Sequence, residues 1–433
     1  MTINAVGLIL CIIVGIALCI AQILGNVVLI GMTLLAFLVL LGWESKKGNT
    51  LPILLFFLPW STIMKFSPGT VSFYTIGLMM VCGLALIQSK LRIVKAEMVS
   101  GIILLLITFV SRAMEGTMIS MSYIAFMAMI FILPTLKRNE SSEKNNFYSA
   151  VIYFAVALVL TTFLAQWCMS YPGIKKYITV LSYGTLTRIC GFNTDPNYYA
   201  AQVVAALSGT MLLMLRGEKK QVIIAGILSV LLIYSGLISV SKMFFVMFVA
   251  LLIMWTILLL RAQGRIGTKF IALTVAVIAL SFILSSDTFQ QLFDTILNRF
   301  STSTDIKSLT TGRSNIWGIY FREIMSNWKT LIMGKGLIEQ TVQGFATHNV
   351  LIDFIFQLGL VGSIILLFWI RKFIEPVSIK EVAKQHKLID VGLLTIGIVG
   401  PWLSISILFF DEFFILQWFL ISGMQASCKQ IRK

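Results

Sequence analysis

Three side chains in this sequence have the chemistry to hold an anion and move a proton: Arg188, Arg313 and His348. A guanidinium offers several donors to phosphate or diphosphate oxygens. An imidazole titrates near neutrality and can take the proton of a hydroxyl. Together they suit a substrate with a diphosphate leaving group and a hydroxyl nucleophile. The arginines would stabilise charge developing on the departing diphosphate, and His348 would be the base. The only other histidine, His386, stands between Lys384 and Lys387 in a basic segment. No Ser/His/Asp hydrolase signature and no metal-ligand spacing accompanies the three. This chemistry calls for no metal, cofactor or nucleotide.

Each residue also has a plainer reading. Arg188 opens Arg188-Ile-Cys-Gly191-Phe-Asn193-Thr-Asp195-Pro196-Asn197, in which Asp195 fits a helix N-cap and Pro196 the first helical position. Arg188 is then either a snorkelling or headgroup arginine or a fork for a diphosphate. Arg313 follows Thr311-Gly312 and precedes a helical pattern from Ile316 to Trp328, in which Ile316, Trp317, Ile319, Tyr320, Phe321, Ile324, Met325 and Trp328 recur at helical spacing. Such a helix can lie in the membrane interface, with Arg313 near an N-terminus that favours anions or simply solvated. Gly334-Lys335-Gly336 reads as a flexible turn and lacks Walker spacing. His348-Asn349 is a cap pair or a base beside its neighbour. Arg322, Lys335 and Asn349 are further candidates for contact with a diphosphate or glycan.

The elements that must position these residues are membrane helices. Apolar residues make up 58% of the 433-residue chain and charged residues 12%, with a mean hydropathy of +0.93. Soluble domains carry about 25% charged residues. The expected fold is an all-α polytopic transmembrane bundle of about 12–14 spans, in one integral-membrane domain over 1–433. Expected spans lie near 3–24, 26–43, 70–89, 98–113, 118–136, 147–168, 198–215, 221–239, 243–260, 269–286, 350–370 and 388–409. Leu51–Met64, with Pro52 and Pro59, and Phe413–Ser427 are short enough to be re-entrant or interfacial instead. Two polar stretches interrupt the helices, at about 169–197 and 286–349.

Lysine and arginine fall on alternate connections: Lys46 and Lys47; Lys90, Arg92 and Lys95; Lys137, Arg138 and Lys144; Arg216, Lys219 and Lys220; Arg261, Arg265 and Lys269; Arg371, Lys372, Lys380, Lys384 and Lys387; Lys429, Arg432 and Lys433. The positive-inside rule puts these and both termini in the cytoplasm, and both long loops outside. The net charge of +16 is then a topology signal and a match to anionic inner-leaflet lipid, not to nucleic acid. The first apolar stretch reads as a retained helix and not a cleaved leader. Cys168 and Cys190 bracket the first loop; they are read as free thiols more readily than as a disulfide.

Arg188-x-x-Gly191-Phe-x-x-Asp195-Pro-Asn197, Thr311-Gly312-Arg313-x-x-x-Trp317, Gly334-x-Gly336 and His348-Asn349 occur in that order. With the two large outer loops, this resembles the O-antigen polymerase and O-antigen ligase family of bacterial envelope glycosyltransferases. The resemblance implies a metal-independent transferase whose donor is a glycan on undecaprenyl diphosphate. It implies arginines that serve the diphosphate, here Arg188 and Arg313, and a histidine that serves the acceptor hydroxyl, here His348. It further implies an inner-membrane location, with a flippase and a chain-length regulator as pathway partners. Polymerase is favoured over ligase. A flippase or transporter of the same pathway, or a non-enzymatic scaffold, is the alternative from another class; few ionisable residues in the spans argue against ion-coupled transport.

Overall fold

The computed structural model describes residues 4–87, 95–114, 116, 129–131, 134, 145–178, 181–183, 186–261, 274, 290, 294, 297, 312–336, 341–374, 388–407 and 411–429. The expected spans near 118–136 and 269–286, residues 286–311 of the second loop and several basic clusters lie outside the described residues, apart from these single positions.

The first antiparallel pair is α1 (Ala5–Leu24) and α2 (Val27–Lys46). Asn4 caps α1 by accepting from the Gly7 N–H, and Asn26 caps α2 by accepting from Val28 and Leu29, supplying orphan helix donors with partners. Next come α3 (Thr50–Phe57), α4 (Phe73–Ile87), α5 (Lys95–Met114), α6 (Asn145–Cys168) and the single turn α7 (Pro172–Lys175). A small antiparallel hairpin, β1 (Leu181–Tyr183) and β2 (Leu186–Arg188), pairs Leu181 with Arg188. Then follow α8 (Pro196–Arg216), α9 (Lys219–Leu237), α10 (Lys242–Arg261), α11 (Arg313–Ser326) and α12 (Trp328–Met333). The chain closes with α13 (Val350–Ile374), α14 (Leu388–Val399) and α15 (Asp411–Lys429).

Among the described residues, eight helices are long and apolar enough to cross a membrane: α1, α2, α5, α6, α8, α9, α10 and α13. The fold is all-α and polytopic, as the composition indicates. Helix α8 is enclosed along nearly its whole length, whereas α1, α2 and α10 present rows of exposed Val, Leu and Ile, the pattern of helices facing lipid.

Three traverses are broken. Residues 50–60 are buried throughout and apolar on every side, as an interior helix must be. Asn49 donates to Glu44 at the end of α2, while Gln22, near the far end of α1, donates to the carbonyls of Ile63 and Lys65. Segment 49–65 therefore runs from one end of the bundle to the other as a short helix followed by irregular chain. That is tolerated at membrane depth because protein covers it. The run at 388–409, expected as one helix, stops at Val399. Gly400 and Pro401 turn it into a 3₁₀ segment through Leu403, and residues 404–407 are irregular. Proline brings no N–H and clashes with the preceding turn, so the α-helix cannot continue. The third break is Gly359 within α13, at φ 67 and ψ −178.

Polar clasps mark the two ends. At one, Glu44 accepts from Asn4, Lys47 and Asn49, and Arg216 grips the buried Asp390 with Nε and Nη2, at 2.9 and 3.0 Å. At the other, Thr75 donates to Asp411 at 2.6 Å. The candidate residues gather at this second end.

Candidate functional site

Asp195 begins α8 as its N-cap. Its Oδ1 accepts from the Asn197 N–H at 2.6 Å, and Pro196 takes the first helical position, in agreement with the sequence reading. Asn197 Oδ1 in turn accepts from Ser241 at 2.9 Å. Two residues earlier in that same α9–α10 turn, the Ser239 carbonyl accepts from Arg188 Nε at 2.7 Å, and the Ile238 carbonyl accepts from the Ile189 N–H. The hairpin is thereby plugged onto the turn, and Arg188 is buried and not splayed into solvent. Cys190 lies within reach of this charge: burial pushes its thiol up to about 12, with Arg188 opposing and Asp195 adding to the shift. Cys168 and Cys190 are buried and not disulfide-bonded; the Cys168 sulfur lies 3.8 Å from that of Cys19.

Arg313 is the first residue of α11, after Gly312 at φ 81. Its Nη1 donates to Ser404 Oγ in the irregular chain beyond α14. The helix is held by its buried side: Tyr320 and Ile324 pack with Ile352 and Phe356 of α13. Trp317 Nε1 donates to the Thr347 carbonyl at 3.0 Å, and the Tyr320 hydroxyl donates to the Phe345 carbonyl at 2.8 Å. Phe321, Met325 and Trp328 are left exposed, at 50, 72 and 66%, which fits a helix lying in a membrane interface.

His348 is flanked by two fixed neighbours. Thr347 donates to Asp353 at 2.6 Å, and its hydroxyl lies 2.7 Å from that of Ser406. The Ser406 carbonyl accepts from the Tyr198 hydroxyl, on the first turn of α8. Asn349 is buried and caps α13, its Oδ1 accepting from Leu351 and Ile352. Between them His348 holds φ 49, left-handed backbone that a side-chain-bearing residue rarely adopts. Burial lowers its pKa below 6.5, the Arg313 charge lowers it further, and Asp195 pulls the other way. The imidazole is accordingly neutral at pH 7, with a lone pair able to accept a proton.

The arrangement brings Arg313, His348 and the start of α8 together, and ties Arg188 to that start through Ser239, Ser241 and Asn197. The remaining candidates are dispersed. Arg322 is exposed and nine residues from Arg313, about half a revolution away on an α-helix, so it points to the opposite side of α11. Lys335 is half-buried, with Nζ 3.6 Å from Glu323 Oε1, on a turn docked against α13. The side-chain oxygen of Asn349 is committed to its cap. Ser404, Ser406 and Tyr198 are residues that sequence reasoning missed. Gly400-Pro401 inside an apolar run was the available signal for Ser404 and Ser406, since that pair interrupts a helix. Tyr198 carried no comparable signal. Among the described residues, no three His, Cys, Asp or Glu side chains are grouped so as to hold a metal ion.

No model of a known protein family matches the chain, and no curated protein is significantly similar to it in sequence.

Proposed function

We propose that this protein is a glycosyltransferase of the bacterial plasma membrane, a polymerase of lipid-linked surface-polysaccharide repeat units. It transfers glycan from undecaprenyl diphosphate to a sugar hydroxyl at the extracytoplasmic face. The observation that carries the reading is His348 held on left-handed backbone within reach of the Arg313 and Asp195 charges, at the end of the bundle where α11 exposes Phe321 and Met325.

In this reading the acceptor hydroxyl gives its proton to His348 as its oxygen bonds to the donor's anomeric carbon. The bond from that carbon to the diphosphate oxygen breaks, and the diphosphate leaves with its new charge met by Arg313 and Arg188. The motif resemblance supplies the substrate class; the positive-inside pattern supplies the side of the membrane.

The test is a strain lacking the gene, complemented with wild type, His348→Ala, Arg313→Ala or Arg188→Ala at matched membrane levels. Surface glycans are then resolved on a gel. Single repeat units on the usual acceptor, with no long chains, are the expected phenotype of each variant. Polymer that accumulates on undecaprenyl diphosphate but never reaches its final acceptor would make the protein a ligase of the same family. A wild-type ladder from all three variants would overturn the site and bring transport or scaffolding forward.

A further inference from the structure

Arg112, in the last turn of α5, is only 6% exposed, and its Nη1 has no hydrogen-bond partner. A guanidinium nitrogen taken out of water without a partner carries a desolvation cost that nothing in the fold offsets. Its surroundings are built with care. Ser111, beside it, donates to the Met333 carbonyl at 2.9 Å and fixes the end of α12. The Gly334-Lys335-Gly336 turn then folds over the arginine so closely that a Cβ on Gly336 would sit 2.8 Å from Arg112 Cδ. Gly336 has φ 82, which suits glycine alone. Lys335, on the same turn, has its ammonium 3.6 Å from Glu323 of α11.

The position of Arg112 on its helix indicates what approaches it. Phe109, one turn back, is 55% exposed, as is Leu106 before it. Residues spaced by three are neighbours on a helix surface, so Arg112 sits at the head of an exposed apolar strip, where that strip meets the packed turn. We infer that Arg112 is an anion subsite for the phosphate group of an amphiphile whose hydrocarbon chain lies along Leu106 and Phe109. The phosphate belongs either to a polyprenyl diphosphate or to a bulk phospholipid headgroup; guanidinium recognises the shared chemistry. This subsite is separate from the His348 cluster and does not depend on the transfer reaction.

The full-length protein in a neutral detergent would be titrated with undecaprenyl diphosphate and, separately, with phosphatidylglycerol, with phosphatidylcholine as a zwitterionic control. Arg112→Gln is expected to weaken binding of at least one anionic probe by about tenfold or more, while Arg112→Lys, which keeps the charge but not the fork, loses less. Loss confined to undecaprenyl diphosphate assigns the subsite to the polyprenyl carrier; equal loss for both assigns it to phosphate headgroups in general. Arg112→Gln protein that is monodisperse and binds both probes like wild type overturns the proposal. The readout is binding and not transfer, so failure of the transferase reading would leave this result standing.

Discussion

At the scale of the residue, the site turns on the protonation of His348. Burial and Arg313 both disfavour the imidazolium, so its pKa lies below 6.5 and Asp195 only moderates the shift. If the neutral form is the base, transfer activity rises with pH and reaches its plateau before the pH at which an ordinary histidine would. Asparagine caps helices as well as aspartate does, so Asp195→Asn keeps the α8 start while removing a charge that favours the imidazolium. That variant should move the acid limb of kcat/KM to lower pH, and an unmoved limb would exclude His348 as the titrating group. Removing the base altogether in His348→Ala is expected to cost about 10²–10⁴-fold in rate. The same linkage acts on stability. A depressed folded-state pKa means the unfolded chain binds the proton more readily, so the His348 contribution is complete above pH 6.5 and declines as pH falls below it.

At the scale of the element, the irregular pieces do the positioning. The chain beyond α14 supplies the Ser404 hydroxyl to Arg313, the Ser406 hydroxyl to Thr347 and the Ser406 carbonyl to Tyr198; a continuous helix through 388–409 would have kept that carbonyl to itself. The break in α13 has a different cause. Gly334 and Gly359, at φ 73 and 67, press backbone against backbone. A Cβ on Gly334 would lie 2.4 Å from the Gln357 carbonyl oxygen, and one on Gly359 2.3 Å from that of Ile332. The Lys335 N–H also donates to the Phe356 carbonyl at 2.9 Å, near the break. Gly359→Ala meets both a backbone clash and a left-handed conformation that alone costs about 1–3 kcal/mol. It should lower the thermal midpoint in detergent and reduce activity together. Gly226→Ala, on α9, where a Cβ meets nothing within 4 Å, is the control expected to leave both unchanged.

At the scale of the whole molecule, the candidate residues share one end of the bundle and the Glu44 and Arg216–Asp390 clasps share the other. Sidedness is therefore a single question, answered by two labels. Cys11, Cys19, Cys82, Cys168 and Cys190 are buried, so Cys428→Ser gives a quiet background. A cysteine at the exposed Thr341 should react with a membrane-impermeant maleimide on intact spheroplasts, and one at the exposed Lys219 only after permeabilisation. The reverse pattern would put the site in the cytoplasm. Much of this architecture is determined by sequence alone, because a spanning helix is set by composition and length. That is why the bounds of α1, α2, α8, α9 and α10 fall close to the apolar runs. The Asp195 cap and the helix opened by Arg313 are legible for the same local reason: both depend on a few adjacent residues. Tertiary structure alone decided which of the scattered polar residues meet. Arg313 and Ser404 are 91 positions apart, and Thr347 and Ser406 are 59; no periodicity encodes such a pairing. It likewise turned Gly334-Lys335-Gly336 from a loose turn into a docked one, since the close approach to Gly359 exists only once α12 packs on α13.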